Sequence, residues 1–326
     1  MKLASKLVFV VACAGLAQSA VLPAAAQSYP TKPIRMIAPS GAGGPVDVIC
    51  RAISQALSDV LGQQIVVDNR VGAAGLIGTE IVVKSPPDGH TLLFGFSGPL
   101  AIVPNLNPNT PYDPIKDLAP VSQVASAPYV LLVHPSVPAK SVKQLVALAK
   151  SKPGKMNFSS GGTGVGIHMA GELFKIAAGV QIVHVPYKGA APAMTALMAG
   201  EVDMMFNGLS PALPHIESGK LRALAVGGDK RSPLFPELPT VRESGFNFNT
   251  EGWYGIVAPR GAPQAVIDTL YKGLVQALGS PQLKAQMTRL AVEVIGTTPA
   301  QFAGLIREEH AKWGTVIKAA GLRTKP

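Results

Sequence analysis

The sequence predicts an α/β fold with parallel sheets and helices on both faces. Short apolar runs of strand length alternate along the chain with segments in which apolar residues recur at helical spacing. The composition agrees: 47% of the 326 residues are hydrophobic, enough for a sizeable core, while 34 glycines and 29 prolines are typical of a loop-rich protein. Aromatic residues make up only 6%. This profile favours an α/β protein over a helical bundle or a β-sandwich.

The first strand and helix set the pattern for the rest of the chain. Residues 34–38 are predicted to form a short buried strand, and a glycine-rich turn follows them. Segment 46–61 then carries apolar residues at positions 46, 49, 50, 53, 57 and 60, which is the spacing of an amphipathic helix. Cys50 belongs to this apolar series, so we predict a thiol buried in the core.

Eight further strand-like runs follow, most of them separated by helical segments, which favours parallel pairing. They occupy residues 65–68, 91–94, 129–133, 155–159, 182–185, 202–206, 221–226 and 254–257. Two helices are predicted to begin with capping boxes, one at Ser141 with Gln144 and one at Thr298 with Gln301. No break in composition marks a domain boundary, so the domain division must rest on motifs.

The N-terminal segment has the features of a cleaved export signal. Lys2 and Lys6 precede an apolar run at 7–17, and small residues lead to a predicted cut after Ala26. The run is far shorter than the ~20 residues of a membrane span. Cys13 resembles a lipoprotein cleavage site, but it leaves only six apolar residues ahead of the cut, so lipidation is not expected. We expect a periplasmic protein.

The charge distribution bears on the partners of the protein. The formal net charge is +10, and loss of Lys2 and Lys6 with the leader leaves +8. The basic residues are scattered, without a run of four and without interleaved aromatic residues, so we expect no nucleic acid and favour small anions. Without Cys13, Cys50 has no partner for an internal disulfide. We expect a monomer.

Three segments place a glycine-rich turn directly after a predicted strand. They are residues 39–47 (PSGAGGPVD), 95–99 (GFSGP) and 159–168 (SSGGTGVGIH), and the first and third lead into helices. Glycine lets backbone N–H groups approach a ligand, and a helix N-terminus carries roughly half a positive charge. The first and third loops are therefore predicted carboxylate cradles. The alternative is that they are tight strand-to-helix turns without a ligand.

Motifs for other chemistry are missing from the sequence. No dinucleotide-binding or P-loop pattern follows the first strand, and Pro99 stands where a nucleophile elbow needs its second glycine. The six histidines show no metal-ligand spacing. We predict no metal, no cofactor and no catalytic residue, although spacing alone does not test a Ser/His/Asp triad.

A series of motifs spans nearly the whole mature chain. In order they are YPTKPIR at 29–35, GGPVD at 43–47, VDNR at 67–70, GAAG at 72–75, DGHTLL at 88–93, PYDP at 111–114, KDLAPV at 116–121, HMAGELF at 168–174, VPYKG at 185–189, GEVD at 200–203 and PTV at 239–241. Together they resemble the Bug (TctC-like) receptors, the solute-binding components of tripartite tricarboxylate transporters. Each motif alone is weak, but the set in this order is specific.

The resemblance implies a type II periplasmic binding protein fold, in which two α/β lobes are joined by crossover strands with a ligand cleft between them. By analogy, lobe one comprises residues 28–127 plus 249–300. Lobe two comprises 128–248 plus 301–326, with the C-terminal helix. The expected crossings lie at 129–133 and 254–257. Such receptors hold the ligand carboxylate through backbone N–H groups and hydroxyls, without an arginine clamp.

The resemblance also implies the ligand-binding residues. Asp47 is expected to order the first loop or to be a simple helix-start residue, and His168 to brace its helix or to contact ligand. Ala191 is expected to present its N–H group, and Asn207 to hydrogen-bond the ligand from the far lobe. The full set is Ser40, Gly43, Gly44, Asp47, Ser97, Gly98, Gly162, Thr163, Gly164, His168, Ala191 and Asn207.

Departures from the family pattern lower the polarity near the presumed cleft. The residues concerned are Ser40-Gly41-Ala42, Phe96, Pro99, Leu100, Val103, Val165 and Ala196. A buried polar ligand group without a partner costs ~1–3 kcal/mol. We therefore predict a monocarboxylate with an apolar or aromatic body rather than a small dicarboxylate such as malate or aspartate.

The resulting functional prediction is a binding protein, not an enzyme. It captures a small carboxylate and hands it to the membrane permease subunits of a tripartite transporter. One alternative is a ligand-loaded partner of a sensor kinase in a two-component system. The other is an exported hydrolase, with Ser97 or Ser160 as the nucleophile.

Overall fold

The computed structural model describes residues 29–323. The predicted leader 1–26, its cut after Ala26 and Cys13 lie outside this range. Between residues 29 and 323, no helix combines the length and the apolar character needed to cross a bilayer.

Ten strands and ten α-helices make up the described chain. In chain order they are β1 (Ile34–Ala38), α1 (Pro45–Leu61), β2 (Ile65–Asn69), α2 (Leu76–Val83), β3 (Thr91–Phe96), α3 (Val103–Leu106), β4 (Leu118–Val133), α4 (Val142–Ser151), β5 (Asn157–Ser160), α5 (Gly166–Ala178), β6 (Val183–Pro186), α6 (Ala190–Met198), β7 (Met204–Gly208), α7 (Leu209–Glu217), β8 (Arg222–Val226), β9 (Glu251–Pro259), α8 (Gln264–Leu278), α9 (Pro281–Arg289), β10 (Glu293–Val294) and α10 (Pro299–Ala319). A 3₁₀ turn at Ala73–Gly75 precedes α2, and a π-helical turn at Gly98–Ile102 precedes α3.

The strands form two sheets that repeat one arrangement. In the first sheet the order is β2-β1-β3-β9-β4, with β1 parallel to β2 and β3 and with β9 antiparallel to β3 and β4. In the second sheet β5 is parallel to β6 and β7, whereas β4 is antiparallel to β7 and β8. The prediction of parallel pairing is confirmed among β1, β2 and β3 and among β5, β6 and β7. It is wrong at β4, β8 and β9, because β4 and β9 run between the two halves of the molecule and pair antiparallel with their neighbours.

Strand β4 belongs to both sheets. Residues 118–128 pair with β9 in the first sheet, and residues 129–133 pair with β7 and β8 in the second. The chain returns before β9, where the Gly227 N–H donates to the Tyr129 carbonyl (2.8 Å) and the Thr250 N–H donates to the Gly227 carbonyl (2.9 Å). The expected crossing at 254–257 therefore lies inside the first sheet, and the return crossing precedes it.

The C-terminal helix α10 rests mainly on the first sheet. Its buried residues Phe302, Ile306 and Trp313 share one apolar cluster with Ile37 and Leu93, and α5 adds Met169 to that cluster. The resemblance implied that this helix belongs to lobe two. Its buried residues instead pack mainly against the first half of the molecule and contact the second through Met169.

Local signals explain where the helices begin and end. Helix α1 buries Ile49, Cys50 and Leu57 and ends at Gly62, which has a left-handed φ of 65°. The predicted burial of the Cys50 thiol is confirmed. Thr298 makes the full capping box predicted for α10.

The predicted box at Ser141 is only half formed. The Ser141 hydroxyl accepts from the Gln144 N–H as expected, but the Gln144 side chain accepts from the Lys140 N–H at 2.7 Å.

Candidate ligand-binding site

A cleft of about 780 Å³ lies between the two sheets. Its volume is typical of sites for small molecules. The walls come from the loops that follow β1, β2 and β3 on one side and β5, β6 and β7 on the other. None of the described residues that line the cleft carries a charged side chain. A charged ligand must therefore be held by dipoles and hydroxyl groups.

Five helices, α1, α2, α5, α6 and α7, begin at this cleft. Each has an N-cap residue that makes no side-chain hydrogen bond to the helix, and all five N-cap residues line the cleft: Gly44, Gly75, Val165, Gly189 and Gly208. Of the five helices that begin elsewhere, α4, α9 and α10 are capped by side chains, whereas α3 and α8 are not. The first N–H groups of a helix have no partner within the helix, and they attract anions. Their convergence gives the cleft a lining that suits an anion without a cationic side chain.

Hydrogen bonds with Asp47 and Asn69 stabilise the first glycine loop. The Asp47 carboxylate accepts hydrogen bonds from the Gly43 N–H (2.8 Å) and from the Asn69 side chain (2.9 Å), which also donates to the Ser40 carbonyl (3.1 Å). Burial opposes the charge of Asp47, but hydrogen bonds from Arg51, Gly43 and Asn69 outweigh burial and hold the pKa of the carboxyl below its usual value. Asp47 thus orders the loop and does not line the cleft.

Ser40 leaves a hydroxyl unpaired in this loop. Its Oγ is buried and has no hydrogen-bond partner in the protein, although Ser40 lines the cleft. A buried hydroxyl without a partner costs about 1–3 kcal/mol. A ligand oxygen in the cleft would provide the missing partner.

Tyr129 connects the two sides at the crossing of β4. Burial raises the pKa of its hydroxyl well above the usual value, while hydrogen bonding with Ser97 opposes that shift. A side chain at Gly166 would collide with the same hydroxyl, so the first turn of α5 lies directly against it. Ser97, Tyr129 and Gly166 therefore bring the second loop, the crossing strand and the third loop together.

A fourth loop, residues 71–75, also lines the cleft. Four successive residues, Gly72, Ala73, Ala74 and Gly75, have positive φ angles of 134°, 46°, 53° and 96°. The left-handed conformation costs an alanine about 1–2 kcal/mol. Such strain persists where the surrounding structure imposes it, and it is concentrated at binding sites.

The family comparison agrees with this geometry. The model of the TctC family, described as the tripartite tricarboxylate transporter family receptor, matches residues 49–322. The chain belongs to this family. The resemblance to the Bug receptors is thereby confirmed, and the family is one of receptors rather than enzymes.

Similar proteins cover almost all of the chain. BugT of Bordetella pertussis is 38% identical over 317 residues, which is 97% of this chain and 96% of BugT. The solved structure of an R. palustris protein with adipate is 34% identical with a TM-score of 0.81, covering 90% of this chain and 98% of the other. The periplasmic binding protein BugD is 33% identical with a TM-score of 0.80, covering 91% and 100%. MatC from Rhodopseudomonas palustris, with bound malate, is 30% identical with a TM-score of 0.79, covering 89% and 100%. The periplasmic binding protein fold is confirmed.

The structure of this TctC-family chain brings half of the expected site residues together. Ser40, Gly43, Gly44, Ser97, Gly98 and Asn207 line the cleft, whereas Asp47, Gly162, Thr163, Gly164, His168 and Ala191 do not. In the third loop the lining residues are instead Gly161, Val165 and Gly166, and Thr163 is exposed. The loop reaches the cleft only where it leaves β5 and where it enters α5. At the start of α6, Ala190 lines the cleft in place of Ala191.

His168 supports the third loop from the protein interior. It is fully buried, and its Nδ1 accepts from the Gly164 N–H at 3.1 Å. Its ring lies 3.9 Å from that of His184, and the latter's Nε2 lies 2.7 Å from the Ser160 hydroxyl. Burial, the neighbouring His184 and Lys175 lower the pKa of His168 to about 3, and burial and Lys175 lower that of His184 to about 4. Both rings are neutral near pH 7.

The departures from the family pattern divide into two groups. Phe96 and Val165 line the cleft and do lower its polarity. Leu100, Val103 and Ala196 are instead buried in the core, because the π-helical turn, α3 and α6 respectively direct them inward. Their replacement of polar residues therefore concerns packing.

Several lining residues are not among the predicted ligand-binding residues. They are loop 71–75, Tyr129, Ser210, Pro211, Leu290 and Val292, among others. Loop 71–75 carried the same signal as the three expected loops, since GAAG at 72–75 follows one strand and leads into a helix. Tyr129 and Leu290 gave no local signal, because only the tertiary fold brings them to the cleft.

The geometry does not favour a serine hydrolase. Ser160 lies beside His184 but is fully buried, and its hydroxyl donates to the Gly162 carbonyl at 2.9 Å. Ser97 lines the cleft, but its partner is Tyr129 rather than a histidine. Among residues 29–323, no group of three metal-ligating side chains comes together.

Proposed function

We propose that this chain is a periplasmic receptor that captures a small carboxylate with an apolar or aromatic body. It delivers this ligand to the membrane permease subunits of a tripartite transporter. The observation that carries the proposal is the convergence of five uncapped helix N-termini on a cleft lined by no charged side chain.

The carboxylate is held by amides and hydroxyls. Exposed N–H groups at the helix starts supply several donors, and the unpaired Ser40 hydroxyl supplies one more. Hydrogen bonds to a charged group contribute about 1.5–3 kcal/mol each. Because no cation takes part, we expect the affinity to change little between low and moderate salt.

The rest of the ligand meets apolar walls. Ile49, Phe96, Val165, Pro211 and Leu290 contribute to the lining. Extra hydroxyl groups on the ligand would face few partners there, and each unpaired one costs about 1–3 kcal/mol. Adipate, found with the R. palustris relative, has an apolar middle, whereas malate in MatC carries a hydroxyl on a shorter chain. The apolar lining favours a ligand with an apolar middle, as in adipate, over one with a hydroxyl group, as in malate.

Calorimetric titration of the chain from Gln27 onward tests the ligand class. The panel comprises hexanoate, adipate, benzoate, malate and citrate, with benzamide as the uncharged match to benzoate. We expect at least one apolar acid to bind about tenfold more tightly than malate, and benzamide not to bind. Tight binding of malate or citrate without any apolar acid would overturn the proposed body, and binding of benzamide would overturn the carboxylate anchor.

Export and delivery need tests in cells. Recovery of the processed chain in the periplasmic fraction, with Gln27 as its first residue, would support the localisation. Uptake of the labelled ligand should be lost when the gene is deleted and should return with the wild-type gene. If the deletion strain takes up the ligand normally but loses its transcriptional response to the ligand, the sensor-kinase alternative would be favoured.

A further inference from the structure

One long stretch of the sequence contains basic residues and no acidic ones. Between Asp117 and Glu172 the sequence contains no acidic residue. The same segment contains five lysines, and all five are exposed: Lys140, Lys143, Lys150, Lys152 and Lys155. None of these five takes part in an ion pair within residues 29–323. We call this set the lysine face.

Helix α4 organises the lysine face. Its inner side buries Val142, Leu145 and Ala149 against the second sheet. Lys143 and Lys150 are seven residues apart, close to two helical turns, so they lie on one outward side.

Hydrogen bonds from backbone N–H groups hold the two flanking segments in place. At the C-terminal end, the turn containing Lys152 and Lys155 is fixed by a hydrogen bond from the Gly154 N–H to the Gln181 carbonyl (2.9 Å). At the N-terminal end, the Lys140 N–H donates to the Gln144 side chain at 2.7 Å. The lysines thus extend from a rigid base and not from a flexible tail.

We propose that the lysine face holds the protein against a membrane surface of anionic phospholipid headgroups. The residue type favours this partner over an acidic protein. Specific protein interfaces are enriched in arginine and aromatic residues and depleted in lysine. Helix α4, which carries part of the lysine face, contains neither arginine nor an aromatic residue. A lysine ammonium group on a flexible side chain can interact with many phosphate headgroups without a fixed geometry.

The expected attraction is weak and reversible. Each lysine near an anionic membrane surface strengthens binding by about a factor of five, and the effect falls off within a Debye length. Such attraction keeps a receptor close to a membrane-embedded partner without fixing it there. The proposal is independent of the ligand cleft, since none of the five lysines lines it.

Vesicle co-sedimentation of the chain from Gln27 onward tests the proposal. Phosphatidylglycerol vesicles should bind the wild type at low salt, and phosphatidylcholine vesicles should not. The double variant Lys143→Gln/Lys150→Gln should bind about five- to thirtyfold more weakly. The matched control is Lys272→Gln/Lys284→Gln, which removes two exposed lysines from α8 and α9 beside the first sheet and should bind like the wild type.

The remaining outcomes count against the proposal. Equal weakening by both double variants would mean that only net charge matters, and unchanged binding by the α4 variant would place the contact elsewhere. Failure of the wild type to bind phosphatidylglycerol vesicles, with capture of an acidic membrane protein instead, would overturn the lipid partner. A thermal melt of each variant shows that it is folded, and its ligand affinity should equal that of the wild type.

Discussion

The hydroxyl of Tyr129 occupies the space that a side chain at Gly166 would need. Tyr129 belongs to the strand that crosses between the sheets, and Gly166 is the first residue of α5. Glycine is therefore required at 166 by a close approach between the crossing strand and an uncapped helix start. This contact sets the distance from the α5 N–H groups to the Ser97 side of the cleft.

Substitution of Gly166 by alanine should weaken ligand binding. The added methyl group must displace Tyr129 or tilt the start of α5, and either movement shifts the amide donors by a few tenths of an ångström or more. We expect at least a tenfold loss of affinity, measured by calorimetry with the best acid of the panel.

Gly304→Ala is the matched control for that variant. Gly304 lies inside α10, and a β-carbon there meets no atom within 4 Å. Alanine should stabilise this helix by roughly 0.5–1 kcal/mol and leave the affinity unchanged. Equal ligand affinities of Gly166→Ala and Gly304→Ala would show that the Tyr129–Gly166 contact does not affect ligand binding.

Ser40→Ala should separate binding from stability. Because the Ser40 hydroxyl is buried without a partner in the protein, its removal should not lower the free energy of unfolding and should raise it by up to about 1–3 kcal/mol. Loss of a hydrogen bond to a charged group should weaken ligand binding by about 10- to 100-fold. Urea denaturation and calorimetry measure the two quantities, and an unchanged affinity would show that Ser40 does not contact the carboxylate.

Ala74→Gly should raise the free energy of unfolding by about 1 kcal/mol. The φ of Ala74 is 53°, a region that costs alanine energy but not glycine. Ala147→Gly, at an exposed position in α4, should lower the same quantity by a similar amount. Urea denaturation should therefore show opposite signs for one chemical change. A loss of stability at both positions would contradict the strained geometry of loop 71–75.

Stability should fall between pH 6.5 and about pH 4 through His168 and His184. Their pKa values in the folded protein, about 3 and about 4, lie below the ordinary value of 6.5. Within this window the unfolded chain binds protons that the folded chain does not, so the free energy of unfolding decreases as pH falls. Each histidine contributes a slope of about 1.4 kcal/mol per pH unit, and neither contributes above pH 7.

His168→Asn tests that assignment. Asparagine can offer an oxygen to the Gly164 N–H in place of Nδ1, but it does not titrate. The variant should show a shallower pH dependence between pH 6.5 and 5 in urea denaturation. Asp47, whose pKa is lowered, acts only at lower pH and does not obscure this window. An unchanged slope would mean that His168 is already protonated in the folded state.

The strands could be located from the sequence, but their partners could not. Every predicted run overlaps an observed strand, because most are short apolar segments bounded by turn residues, although several bounds differ by two or three residues. The first part of β4 escaped prediction, since Pro120, Ser122 and Pro128 interrupt its apolar pattern. The antiparallel pairing of β9 depends on the return of the chain from the second sheet. No local pattern encodes that return.

The loops that form the site could be predicted from the sequence, but not all of the individual residues that line the cleft. Glycine patterns identified the loop at Gly43 and Gly44 and the loop at Ser97 and Gly98, which line the cleft. In the third loop the pattern could not distinguish Gly161 from Gly162. Only the packing of the Gly161 backbone against Ala190, where a β-carbon would stand 2.8 Å from the amide nitrogen, decides which glycine reaches the cleft.

The bare helix starts at the cleft constrain any attempt to make this protein more heat-resistant. A common strategy in protein engineering is to place serine or aspartate at N-cap positions, and elsewhere in this fold Ser141, Ser280 and Thr298 show that such caps are tolerated. At Gly44, Val165, Gly189 or Gly208 the same change would occupy the amides with the protein's own oxygen. The engineered side chain would then compete with the ligand from within, and the more robust protein would be a self-inhibited receptor.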